Sequence, residues 1–303
     1  MPGISTVWKS GKIKEGRKLL ECLSALGFKN IELEYRISVE TYREIKQYLA
    51  EDENLKISSI HNFFPIPEIT EGGGADVFLL SSEDKEERAL AVKYTIKTMQ
   101  IAAELGARAV VLHLGYVLME RIMENLFELY DAGKVNSDEY KKALEEFRAL
   151  RERKKGKSFD MLLLSMEELV KAAEKLDVYL GIENRYSFRE YPNHEEIGTI
   201  FEKFGNGHIG YWHDVGHAKV HENLNIIKPN QLLEAYGKYL LGVHLHDVKG
   251  YSDHHVPGAG EMDFDLLKKY LKKDTIKVLE IHPRETEKDL MDGVDFLRDI
   301  GID

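Results

Sequence analysis

The sequence predicts an α/β protein built as a (β/α)8 barrel, and three features carry that expectation. Strand and helix patterns alternate eight times along the chain. The strands are short apolar runs without strict polar alternation, which suits a parallel sheet covered by helices. The turn after the first strand, Trp8-Lys9-Ser10-Gly11, lacks the glycine-rich fingerprint of an open doubly wound sheet. Eight such units most simply close on themselves. No composition shift marks a linker, so residues 1–303 read as one barrel domain.

Ile4–Val7 is the first strand, and Gly11–Leu26 is an amphipathic helix closed by Gly27. Asn30–Tyr35 is the second strand, Val39–Ala50 a helix, and Lys56–His61 the third strand. Residues 65–82 carry Gly72-Gly73-Gly74 without the Gly-Lys-Ser/Thr ending of a phosphate loop, so they read as a flexible loop or lid. Glu83–Leu105 is a long helix and Ala109–Leu114 the fourth strand. The rhythm then lengthens. Residues 116–176 hold at least three helical segments with no strand between them, a helical insertion after the fourth strand. The basic run Arg148–Lys157 within it reads as a solvated helix end, with a grip on a substrate phosphate as the functional alternative. Asp177–Glu183 is the fifth strand, Asn193–Phe204 a helix, and His208–Asp214 the sixth strand. A helical segment with Gln231–Tyr239 leads to the seventh strand, Leu241–Asp247, and a polar loop. Asp263–Lys273 is a helix, Thr275–Ile281 the eighth strand, and Glu285–Ile300 the last helix.

Composition narrows the function classes. The net charge is −11, from 53 acidic and 42 basic residues. That balance argues against tight nucleic-acid binding, which draws on Lys and Arg against phosphates. The single cysteine, Cys22, excludes an intramolecular disulfide and a Cys-rich zinc finger. No apolar run suits a signal peptide or a membrane span. The expectation is a cytoplasmic protein with a small-molecule substrate and no membrane partner; the sequence leaves self-association open.

Chemistry concentrates in Leu241–Phe264, LGVHLHDVKGYSDHHVPGAGEMDF, where four imidazoles and several carboxylates crowd one segment. His244 and His246 alternate with Val243 and Leu245 and so share a strand face. A lone histidine is usually a satisfied core or surface residue, but so dense a cluster points to a divalent metal. Other strand ends add His61, His113, Glu183, Arg185, Asp214, His217 and Glu280. In a barrel these ends converge on one mouth, and of the twelve histidines only His194 and His208 are expected clearly away from it. Glu183, Asp214, His244 and Glu280 would give one ligand from each of four adjacent strands. Their carboxylates would repel one another without a cation between them. The bland alternative is an ion pair of Glu183 with Arg185 and of Glu280 with Arg284.

The segments VLHLG, LGIENR, YWHDVGH, VHLHDVKGYSDHHVPGAGEMDF and VLEIHP, in this order, resemble the xylose isomerase-like barrel superfamily. That superfamily holds sugar epimerases and isomerases together with AP endonuclease family 2, the endonuclease IV-like enzymes. The resemblance implies that Glu183, Asp214, His244 and Glu280 bind one divalent metal: zinc, manganese, cobalt or magnesium. His246 falls where members vary. The endonuclease branch adds ligands that map onto His61, His113, His217, Asp253 and His254. That branch has one residue between its loop Asp and His, whereas Asp253 and His254 are adjacent.

Three readings follow. The first is a metal-dependent sugar or sugar-phosphate isomerase or epimerase. Its metal stabilises an enediolate, Glu183 and Glu280 serve as acid and base, and Arg185 and His217 hold substrate oxygens. The second is an endonuclease IV-like multinuclear phosphodiesterase using the additional histidines. The third is a metal-dependent binding or lyase-like protein. The acidic balance favours the first.

Overall fold

The computed structural model describes residues 1–120 and 123–303; residues 121 and 122, inside the expected insertion, lie outside the described part. Ten strands form among the described residues: β1 Gly3–Ser5, β2 Asn30–Leu33, β3 Lys56–His61, β4 Ala109–Leu112, β5 Tyr179–Glu183, β6 Ile209–Asp214, β7 Leu240–Leu245, β8 Asp247–Lys249, β9 Ser252–His255 and β10 Ile276–Leu279. Eight of them close a parallel barrel in the order β1-β10-β7-β6-β5-β4-β3-β2. The expected fold class is therefore observed, with helices between successive barrel strands.

Period-two alternation explains how the barrel is filled. Ala109, Val111, Trp212 and Val278 form an apolar cluster with Tyr179 and Ile276. Trp212 is fully buried at its centre. Gly181 and Gly242, on the strands either side of Trp212, leave room for its indole; a Cβ at Gly242 would overlap the six-membered ring. Two residues further along the same strands stand Glu183, Asp214, His244 and Glu280. The polar layer thus sits directly on the apolar plug, with the Trp212 and His244 rings edge to face at 5.3 Å.

Among the described residues three helices separate β4 from β5: Met123–Asp131, Asp138–Lys155 and Ser158–Leu176. Ser158–Leu176 packs against Lys85–Glu104, as a regular barrel helix does. The two preceding helices are additional to the repeat. Met123, Leu126, Tyr140, Leu144 and Phe147 from them form a second apolar cluster with Val220, Leu224, Ile226 and Val248, beyond β6 and β7. Tyr140 also donates its hydroxyl to the Leu224 carbonyl at 2.8 Å.

Several boundaries differ from the expectation. The chain turns helical over Val7–Ser10, so β1 is shorter, and the next helix begins at Gly16. The basic run is not a solvated end throughout: Arg151 is fully buried. Its two Nη groups donate to Glu196 at 2.8 Å each, and it also lies over the Phe188 and Tyr191 rings. Residues 65–82, read as a flexible loop, bury Ala75, Phe78, Leu79 and Leu80. The expected seventh strand breaks after Leu245, and β8 pairs antiparallel with β9 around Gly250-Tyr251. Gly250, at φ +62°, supplies the left-handed backbone that such a two-residue turn requires.

Candidate metal centre

His244 is the hub of the site. It is fully buried on β7, and its Nδ1 faces Glu183 Oε1 at 2.9 Å, Glu280 Oε2 at 3.0 Å and Asp214 Oδ2 at 3.5 Å. Burial favours a neutral ring, but Glu280 and then Glu32 outweigh it, and the His244 pKa is raised well above the ordinary histidine value. Three carboxylates around one ring nitrogen require a positive charge among them, and either a proton or a metal ion can supply it. Glu183, Asp214 and Glu280 are held well below the usual carboxylate range. Burial alone would raise each, and it is outweighed by Arg185 for Glu183, by His217 and His246 for Asp214, and by His244 for Glu280.

Donor atoms of these four residues lie within 4.8 Å of one another. Two further groups meet the same distance: His61, His113 and Glu183 on one side, and Asp214, His217 and His254 on the other. The three share Glu183 and Asp214 and form a row across the mouth. Eight of the sequence-predicted site residues thus come together, and Asp253 borders them, its Oδ2 at 3.6 Å from His217 Nε2. Burial opposes ionisation of Asp253, but His254 prevails and lowers its pKa to about 2.

Backbone partners fix several tautomers. His61 Nδ1 donates to the Asn62 carbonyl and His217 Nδ1 to the Asn184 carbonyl, each at 3.1 Å. A carbonyl only accepts, so each ring carries its proton on Nδ1 and keeps the Nε2 lone pair for the mouth. That is the form a metal requires. Burial and the neighbouring His113 lower the His61 pKa to about 4, so that ring is neutral.

His246 is different. Its Nδ1 accepts the His254 backbone N–H at 2.9 Å, so Nε2 carries the proton, 2.9 Å from Asp214 Oδ1. Both nitrogens are occupied, and His246 orients Asp214. A Cβ at Gly216 would overlap the edge of the His246 ring, 2.0 Å from its Cε1, so a larger residue there would displace the imidazole. Asp214 is further held by the His217 backbone N–H at 2.7 Å and, through its own backbone, by Asn184.

The alternative ion pairs divide. Arg185 does bond Glu183, while its Nη2 lies 3.6 Å from Glu190. Arg185 Nε has no partner among the described residues. Arg284 instead lies beside Glu285 at 3.5 Å, and Glu280 meets His244 and His254. The histidine expectation needs correction. His213 faces away, its Nδ1 on the Tyr211 hydroxyl at 2.8 Å, and His221 Nε2 bonds the Tyr186 carbonyl at 2.8 Å. Sequence reasoning missed Glu32, which meets His244 Nε2 at 3.1 Å from β2. Its signal was a carboxylate between the apolar residues Ile31 and Leu33 of a strand. It also missed Asp76, 3.7 Å from His113 Nδ1, which comes from the loop with no pattern to announce it.

A family model described as xylose isomerase-like TIM barrel matches residues 20–300. An uncharacterized protein of Methanocaldococcus jannaschii is 26% identical over 224 residues, 73% of this chain and 72% of that one. Among solved structures, the apo form of 3-keto-D-glucoside 4-epimerase from E. coli superposes with a TM-score of 0.67 at 16% identity, covering 98% of both chains. A D-tagatose 3-epimerase-like protein gives a TM-score of 0.68 at 19% identity, covering 98% of this chain and 96% of the other. At such identities these structures share the fold.

Proposed function

Because the chain belongs to the xylose isomerase-like TIM barrel family, we propose that it is a divalent-metal-dependent sugar or sugar-phosphate isomerase or epimerase. The observation that carries this reading is the buried quartet of Glu183, Asp214, His244 and Glu280, with a glutamate at each end. These residues suit zinc, manganese, cobalt or magnesium, which accept mixed carboxylate and imidazole donors. When bound, the ion would polarise a ketose carbonyl and its neighbouring hydroxyl and steady the enediolate. Glu183 and Glu280 stand on the outer two of the four adjacent strands β5, β6, β7 and β10. From there one carboxylate takes the proton from carbon and the other returns one to it. Arg185, beside Glu183, and His217, with its free Nε2, hold substrate oxygens. Similar structures named as sugar epimerases support this choice of substrate class.

The test is incubation with divalent metal and candidate ketoses in deuterated water. The reading expects solvent deuterium on the carbon beside the carbonyl. Exchange that survives both Glu183→Gln and Glu280→Gln would remove these residues from the chemistry.

A second reading, a multinuclear phosphodiesterase, is favoured by one observation. The two flanking groups share Glu183 and Asp214 with the quartet, and a single-metal epimerase has no need of them as further metal ligands. Here two or three metals per chain and salt-sensitive nicking of DNA at an abasic site are expected. The acidic excess of the chain argues against that substrate.

A further inference from the structure

We propose that Glu32 is a positioning residue, holding His244 so that its Nδ1 lone pair is presented to the cation. The inference rests on the cation reading above.

Glu32 lies on β2, across the barrel from the strands that supply the quartet, and is fully buried. Its Oε1 and Oε2 lie 3.1 and 3.3 Å from His244 Nε2, and the Ser59 hydroxyl donates to Oε2 at 2.8 Å. Among the described residues these are its side-chain partners, and neither is a lysine or arginine. A buried carboxylate without such a partner is costly to the fold, and an apolar residue of similar size would fill the space with less penalty. Its geometry makes sense through His244. A carboxylate offers acceptors, so the Nε2 facing it carries the proton, and the Nδ1 lone pair is left on the side of Glu183, Asp214 and Glu280, where a cation among them would meet it. Carboxylate, imidazole and metal in line fix both the tautomer and the ring orientation of the ligand. Without Glu32, the ring is free to carry its proton on Nδ1, where the three carboxylates attract it and a cation is excluded.

The test is titration of the metal-stripped protein with Co2+, read by calorimetry and by the visible spectrum of the bound ion. Glu32→Gln keeps the size of the side chain and removes its charge. Its affinity is expected to fall roughly 10- to 100-fold with a changed spectrum, while the metal-free protein still unfolds cooperatively. Ser59→Ala leaves the carboxylate but removes one of its anchors. It is expected to weaken binding by a smaller factor, and it keeps the test open if Glu32→Gln does not fold. Wild-type affinity and spectrum in Glu32→Gln, or in Ser59→Ala where only that variant folds, would overturn the role of Glu32 while leaving the cation reading intact. Wild-type protein that takes up no Co2+ would overturn the cation reading and this role with it.

Discussion

On the proposed metal-dependent reading, proton and metal compete for His244, and its surroundings set the sign of the pH dependence. Burial works against a charge on the ring, but Glu280 and Glu32 raise its pKa well above the ordinary value. A metal needs the Nδ1 lone pair, so the proton must leave first. Affinity for a divalent ion is therefore expected to rise with pH until that raised pKa is passed; titrations at a series of pH values check this, and a flat profile would contradict it. In the metal-free protein the imidazolium contributes stability that is complete below the ordinary histidine range. It is lost as pH rises through the folded value. At the same scale, Glu183→Gln and Glu280→Gln are each expected to abolish turnover with the fold intact, read by activity beside circular dichroism. A variant with full turnover at normal metal occupancy would count against the assignment. The quartet was legible because each member stands within one residue of the end of an apolar strand, where alternation fixes its face. Asp76 was not, since a loop residue has no period to betray its direction.

At the scale of elements, the helix Asp138–Lys155 is fastened to the barrel by its apolar cluster and by a buried ion pair. Arg151 donates to both oxygens of Glu196, which also caps its own helix by accepting the Asn193 backbone N–H at 2.7 Å. Removing Glu196 leaves the buried Arg151 with only the exposed Glu152 at 3.5 Å and the Glu190 carbonyl at 3.2 Å, so Glu196→Ala is expected to cost about 3 kcal/mol in urea denaturation. Replacing both partners with methionine should recover most of that loss; a single variant as stable as wild type would show that the pair contributes little. Burial raises the Glu196 pKa, but Arg151 prevails and lowers it. The stability from this carboxylate is thus present above the ordinary glutamate range and lost as pH falls through the folded value. The sequence concealed this pair because Arg151 lies in a run of charges whose local pattern reads as solvent-facing. Its partner is 45 residues away, on another element. The β8–β9 hairpin was hidden for a similar reason: its strands are short and polar, and Gly250 was the sole turn signal between them.

For the whole molecule, closure of the barrel was readable from the rhythm of eight units, and the convergence of distant residues on one mouth followed from closure. The filling of the barrel was less readable. Trp212 plugs the interior only because Gly181 and Gly242 flank it, a complementarity that exists across strands and not along any one of them. The mouth gathers eight acidic and imidazole groups whose donor atoms lie within ligand distance in three overlapping sets, and the proposed metal centre rests on that arrangement. A ligand that binds only the folded state stabilises it by mass action, so verified removal of metal should lower the melting temperature. The most direct measurement is elemental analysis of protein purified without chelator, wild type beside His244→Ala and Asp214→Asn. At least one divalent ion per chain is expected in the wild type, with strong depletion in both variants while their circular dichroism is unchanged. Wild-type protein that holds no ion after loading, or variants that keep the full complement, would contradict a metal centre at Glu183, Asp214, His244 and Glu280.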